Sequence, residues 1–245
     1  MNLRDRVTLI TGGARIGQAV AKALADRGSH LILTYRSSKK SAEESIAYAR
    51  SKGRKAFSLK TDLTLNQSYA DTISQVKRVF GRLDILINMA SVYQETPLER
   101  LDSKIWDHNF AANFKHMYGL SLKAAPLLRK HGGRIINFTD WTVASGRPRY
   151  KNLVAYYTAK AAVIGLTEAL ALEFAPDILV NAIAPGPIMP PAKGIRSSEN
   201  KEILKNTPLK KWGGASEIAK AVLFLIESDF LTGECIRVDG GRHLY

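Results

Sequence analysis

Seven short apolar runs, separated by longer helical patterns and with a glycine loop closing the first run, predict an α/β protein. Near-continuous Val/Ile/Leu runs suit strands covered on both faces. The expected architecture is therefore a doubly wound Rossmann fold, a seven-stranded, mainly parallel sheet with helices on both faces. The strands are read at VTLI (7–10), HLILT (30–34), AFSLK (56–60), LDILIN (83–88), RIINF (134–138), ILVNAIA (178–184) and CIRV (235–238). Between them, GQAVAKALADRG stops at Gly28, LNQSYADTISQVKRVFG precedes the fourth strand, and AYYTAKAAVIGLTEALALEFAP ends near Pro176.

The 245 residues are 45% hydrophobic, enough for one sizeable core, and no linker, repeat or low-complexity tract divides them. A single domain over 1–245 is expected. The first ten residues carry charges where a signal peptide needs an apolar core, and no run reaches about 18 apolar residues. Cys235 is the single cysteine, which excludes an intrachain disulfide; together these features lead to the expectation of a soluble cytoplasmic protein without a membrane partner. The net charge of +14 is spread in small groups such as RSKGRK (50–55) and KNTPLKK (205–211). No aromatic-interleaved RNA motif or zinc-finger spacing accompanies it, so solvated helix faces are expected and a nucleic-acid partner is not. The five histidines show no metal-ligand spacing, no metal is expected, and Cys235 is read as core.

In such a sheet, ligands sit beyond the carboxyl ends of the strands. After the first strand, TGGARIG (11–17) enters a helix near Ile16, so Gly12 and Gly17 let a pyrophosphate approach the backbone while the helix N-terminus supplies free N–H groups. The second strand ends in TYRSSKKS, with no carboxylate from 28 to 42 to bind a ribose 2′-OH. Arg36, flanked by Tyr35 and Ser37, is expected on one side of a 2′-phosphate and Arg15 on the other, which indicates NADP(H). Asp62, followed by Leu63, is read either as an adenine contact or as a helix N-cap. Strand-end position adds Asn88, Ala90, Pro185, Gly186 and Ile188 to the cofactor set. At the chemical end, YYTAK puts Tyr156 and Lys160 four apart on one helix face, and the ammonium is expected to lower the tyrosine pKa.

With NMAS (88–91), TDL (61–63), Asn113 in WDHNFAANF, VNAIAPG and the terminal VDGG (238–241), the chain resembles the short-chain dehydrogenase/reductase family over essentially its full length. The resemblance implies NADP(H)-dependent hydride transfer, usually a homotetramer, and a substrate lid near 189–212. It implies that Tyr156 exchanges the proton with the substrate, that Lys160 also holds the nicotinamide ribose, and that Asn113 orders a water. Tyr157 is off the four-residue spacing and is read as packing.

Several positions depart from the family's pattern. The glycine loop is one residue short, with Arg15 at the middle glycine's place, and Pro190 stands where a threonine often touches the cofactor. The segment from Asp140 to Tyr156 is about three residues longer than usual and carries RPRYK (147–151), either an exposed basic loop or a contact for an acidic substrate tail. Asp140 replaces the catalytic serine. An ionised carboxylate can only accept hydrogen bonds, so it repels a developing oxyanion but pairs with the N–H groups flanking a C=N bond. Asp140, Arg15 and the AS of NMAS are similar to pteridine reductases, and the expected function is NADPH-dependent reduction of a pterin or similar C=N or C=O compound. If Asp140 is only a turn or cap residue, 3-oxoacyl-(acyl-carrier-protein) reduction or general ketone reduction stays open. A non-catalytic NADP-binding protein that kept the fold is the remaining alternative.

Overall fold

The computed structural model describes every residue except Lys193. Seven strands form one sheet: β1 (Val7–Thr11), β2 (His30–Tyr35), β3 (Ala56–Lys60), β4 (Ile85–Asn88), β5 (Gly133–Phe138), β6 (Ile178–Pro185) and β7 (Cys235–Val238). Their order is β3-β2-β1-β4-β5-β6-β7, and every pair is parallel rather than mainly so. The winding reverses between β1 and β4, which opens a crevice at their carboxyl ends.

Side chains alternate across the sheet, as a period of two demands. Ile10, Leu33, Ile87, Ile136 and Ile183 point to one core, covered by α1 (Ile16–Asp26), α2 (Lys39–Ser51) and α9 (Ala215–Glu227). Leu9, Ile32, Leu86, Ile135 and Val180 point to the other, covered by α3 (Gln67–Phe80), α5 (His116–Leu128) and α7 (Val154–Phe174). The fourth strand begins at Ile85, two residues later than expected, and the Asp84 carboxylate just before it ties back to the start of β1. It accepts the Val7 N–H at 2.9 Å and Arg6 at 3.0 Å.

Three short elements shape the crevice. Helix α4 (Ser103–Phe110) runs into α5 through a π-helical turn at Ala111–Lys115, an irregularity of the kind often found at functional sites. Helix α6 (Trp141–Ala144) follows β5 directly, and α8 (Ser197–Lys205) lies in the expected lid region. Lys193 of that lid lies outside the described residues. Among the described residues, no helix is long and apolar enough to cross a membrane, and no cluster of His, Cys, Asp or Glu could hold a metal.

Candidate active site

A cleft of about 350 Å³ opens at the crevice between β1 and β4, lined by Gly12, Tyr35, Arg36, Ser37, Asp62, Leu63 and Ala90 among others. The glycine loop is closed for a steric reason: a Cβ on Gly17 would fall 2.3 Å from the Gly12 carbonyl oxygen, so only glycine lets the loop close onto the start of α1. The loop's backbone is unusual at one position. Arg15 takes a positive φ of 52°, a conformation that glycine adopts freely and arginine does not.

The cofactor set divides. Arg36 and Ser37 stand at the end of β2 on the cleft wall. Arg15 does not join them; its guanidinium donates to the Pro190 carbonyl in the segment after β6. Asp62 is not the N-cap of α3, whose N-cap is Asn66; its Oδ1 accepts from Thr64 N at 2.9 Å and Thr64 Oγ1 at 2.7 Å. Those two bonds hold its pKa below the usual carboxylate range. The Asn88 side chain turns into the sheet and donates to Asn137 Oδ1 at 2.9 Å, tying β4 to β5. Ile188 is buried in the core beside α9, so only its backbone is available to a ligand. Gly186 answers to packing: a Cβ there would meet the Asp239 Cβ at 2.4 Å. Ile16 starts α1, and Pro185 ends β6.

At the chemical end the structure brings Tyr156, Lys160 and Asp140 together. Tyr156 is buried, and its hydroxyl donates to Asp140 Oδ2 at 2.9 Å. Asp140 Oδ1 accepts from Thr142 N at 2.8 Å and Thr142 Oγ1 at 2.6 Å, so the same carboxylate also caps α6. One oxygen of Asp140 thus caps α6, and the other holds the Tyr156 hydroxyl. Lys160 is fully buried on α7; its Nζ donates to the Phe138 carbonyl at 2.8 Å and lies 6.0 Å from the Tyr156 ring centre. Burial lowers the Lys160 pKa to about 8, against the pull of Asp140. The expected depression of the Tyr156 pKa is reversed: burial first, then the Asp140 charge and hydrogen bond, push it well above its ordinary value.

Asn113 sits in the π-helical turn, where its Oδ1 accepts from Ser91 Oγ at 2.9 Å and Val92 N at 3.0 Å. It therefore clamps the chain leaving β4 against the helix. Tyr157, off the four-residue spacing, is only partly buried. Three neighbours escaped the sequence reading. Tyr93 lies edge-on to Tyr156 with ring centres 5.0 Å apart, and an aromatic two residues beyond NMAS was the available signal. Tyr150, from the longer segment, packs on Trp141 at 6.4 Å. His116 is wholly buried, and burial together with the Lys160 charge lowers its pKa to about 4, so it is neutral.

Similarity to known proteins agrees with this geometry. The family profile described as Enoyl-(Acyl carrier protein) reductase matches residues 13–243. The 3-oxoacyl-(acyl-carrier-protein) reductase FabG of Staphylococcus epidermidis is 34% identical over 246 residues, spanning 98% of this chain and 100% of that one. A solved short-chain dehydrogenase/reductase mutant of Serratia marcescens superposes with a TM-score of 0.92 at 29% identity, covering 99% of this chain and 100% of its own. A short chain dehydrogenase of Burkholderia cenocepacia, solved in complex with NADP, superposes at 0.90 with 29% identity, covering 99% of each chain.

Proposed function

Because the chain belongs to the short-chain dehydrogenase/reductase family, we propose that it is an NADPH-dependent reductase acting on a C=N bond flanked by N–H donors, as in a pterin. The observation that carries the substrate class is the 2.9 Å hydrogen bond from Tyr156 to Asp140 Oδ2. Reduction needs Tyr156 as an acid, and its raised pKa keeps the proton in place until a basic substrate atom arrives. When the hydroxyl turns to that atom, Oδ2 is released to accept an N–H from the same substrate edge. A ketone offers no such donor, and its developing oxyanion would face the carboxylate. Tyr93 adds an aromatic wall beside Tyr156, suited to a planar ring.

The residues present fit NADPH. Arg36 and Ser37 would hold the 2′-phosphate, Gly12 and the start of α1 the pyrophosphate, and Lys160 the nicotinamide ribose. NADPH supplies a hydride to the carbon of the C=N bond, and Tyr156 supplies the proton to its nitrogen. The same reading includes a homotetramer, which would cover apolar side chains exposed on the chain, Leu172 and Phe230 among them. A second reading, reduction of 3-oxoacyl thioesters, is favoured by the 34% identity to the 3-oxoacyl-(acyl-carrier-protein) reductase of Staphylococcus epidermidis.

NADPH oxidation measured across C=N and C=O compounds tests the reductase reading. Turnover of at least one class is expected; tight NADPH binding with no turnover would instead support a non-catalytic NADP-binding protein.

Two outcomes follow from single residues. Arg36→Asp is expected to weaken NADPH binding about 100-fold and NADH binding far less, through loss of a charge-assisted contact and gain of a repulsive one. Equal weakening in fluorescence titrations refutes the 2′-phosphate assignment. Second, kcat/KM is expected to fall on an alkaline limb near pH 8, where the free enzyme's Lys160 loses its proton. By linkage, burying this ammonium costs stability below about pH 8, and the cost is relieved as pH rises towards the ordinary value of 10.5. A limb that appears only near pH 10 contradicts the assignment.

A further inference from the structure

Four arginines gather around α6, the short helix that opens beside Asp140. The guanidinium carbons of Arg149 and Arg242 each lie 5.6 Å from the Trp141 ring centre. Arg147 and Arg149 both donate to the His243 carbonyl, at 3.2 and 3.3 Å, and Arg237 donates to the Ala144 carbonyl at 2.9 Å. Arg242 is 8% exposed and donates to the Ile203 carbonyl of α8 at 2.9 Å. Among the described residues, none of the four forms an ion pair, and the buried Nε of Arg149 has no hydrogen-bond partner.

Carboxylates close in sequence to the cluster are already hydrogen-bonded: Asp140 accepts from Thr142 and Tyr156. Asp239 accepts from the Gly241 and His243 amides and contacts His243 Nδ1 at 2.8 Å, while Glu199 faces Arg196 at 3.8 Å. A nearly buried guanidinium without a counter-charge, crowded by others of like sign, is costly unless an anion arrives from outside. The cluster is also well placed for one. Trp141 packs on Tyr150, and both Tyr150 and Asp140 bear electrostatically on Tyr93, which lies against Tyr156. Arg149 and Arg242 therefore lie over the residue that follows Asp140, whose carboxylate holds the Tyr156 hydroxyl.

We propose that Arg147, Arg149 and Arg242 form an anion subsite that takes the carboxylate or phosphate tail of the substrate whose head is reduced at Tyr156. This rests on the reductase reading above. Guanidinium forks match both oxyanions bidentately, and the exposed ring of Tyr150, packed on buried Trp141, stands beside them. The longer segment that carries RPRYK then has a purpose: it delivers two of the three arginines, and its Asn152 carbonyl is fastened to the Thr96 N–H at 2.7 Å.

Calorimetric titration of the NADP⁺-loaded protein separates binding from turnover. Folic acid (carboxylate tail) is compared with biopterin (no anionic tail), and acetoacetyl-coenzyme A (phosphate tail) with acetoacetyl-N-acetylcysteamine (none). At least one tailed probe is expected to bind about tenfold or more tightly than its tailless partner, as one charge-assisted hydrogen bond provides, and the pair that shows it identifies the tail. Arg147→Gln, at an exposed position, and Arg149→Gln, with its fold checked by thermal melting, are expected to cut that advantage to less than about threefold, and Arg149→Lys to restore part of it. An advantage unchanged in both glutamine variants, or absent from both pairs, overturns the proposal. An arginine-dependent advantage without NADPH oxidation on any substrate leaves the subsite standing and removes the reductase reading instead.

Discussion

Tyr156→Phe is expected to lower kcat by about 10³-fold while leaving NADPH affinity within a factor of a few, because it removes the proton donor and no more than a hydroxyl. The side chain is buried on α7, and the phenyl ring fills the same space against Tyr93, so the fold should persist. Its hydroxyl makes one hydrogen bond, to Asp140, and that carboxylate keeps its two contacts with Thr142 when the hydroxyl goes. Single-turnover measurements with saturating NADPH separate chemistry from binding. A loss of less than tenfold would mean that another group donates the proton, and the neighbouring Tyr93 would then be the first to replace.

Asp140→Ser is expected to have the next largest effect, and its direction depends on substrate. Serine also accepts from the N–H two residues on, so α6 keeps its cap while the negative charge leaves the site. The pterin loses a charge-assisted partner, and its kcat/KM is expected to fall about 30- to 100-fold. A ketone or thioester gains a hydroxyl donor and is freed from repulsion, so its kcat/KM is expected to rise. Removing the charge also removes one of the causes that raise the Tyr156 pKa, so any limb due to tyrosine moves to lower pH. Equal losses on both substrate types would reduce Asp140 to its capping role.

Most of the sheet was legible because both-sided burial leaves a near-continuous apolar run that little else in a chain of this kind resembles. β3 and β7 matched their expected bounds, and the others moved by one or two residues. That Gly12 and Arg36 line one cleft was legible for a similarly local reason, since glycines before a helix and an arginine at the end of β2 are written beside their strands. Side-chain direction was not. Asn88 and Ile188 occupy strand ends, yet one turns into the sheet and the other into the core, a choice set by Asn137 and α9 far along the chain. Arg15 had the right chemistry for a phosphate, but its guanidinium donates to the Pro190 carbonyl, 175 residues away in sequence.

The Tyr156 pKa shows the same limit at the site itself. Spacing put an ammonium four residues away, and from that alone a depressed value followed. Spacing could not show that Lys160 spends its hydrogen bond on Phe138 or that Asp140, 16 residues upstream, reaches the hydroxyl. The burial of Arg242 beside Trp141 was equally out of reach, because it joins the end of the chain to a helix about 100 residues earlier.

The most direct test of the central claim, that Asp140 and Tyr156 together serve a C=N substrate, is NADPH oxidation by the wild-type protein with 7,8-dihydrobiopterin and acetoacetyl-coenzyme A measured side by side. The pterin is predicted to be reduced, one NADPH consumed per tetrahydrobiopterin formed, with the higher kcat/KM. Turnover of the thioester alone would contradict it.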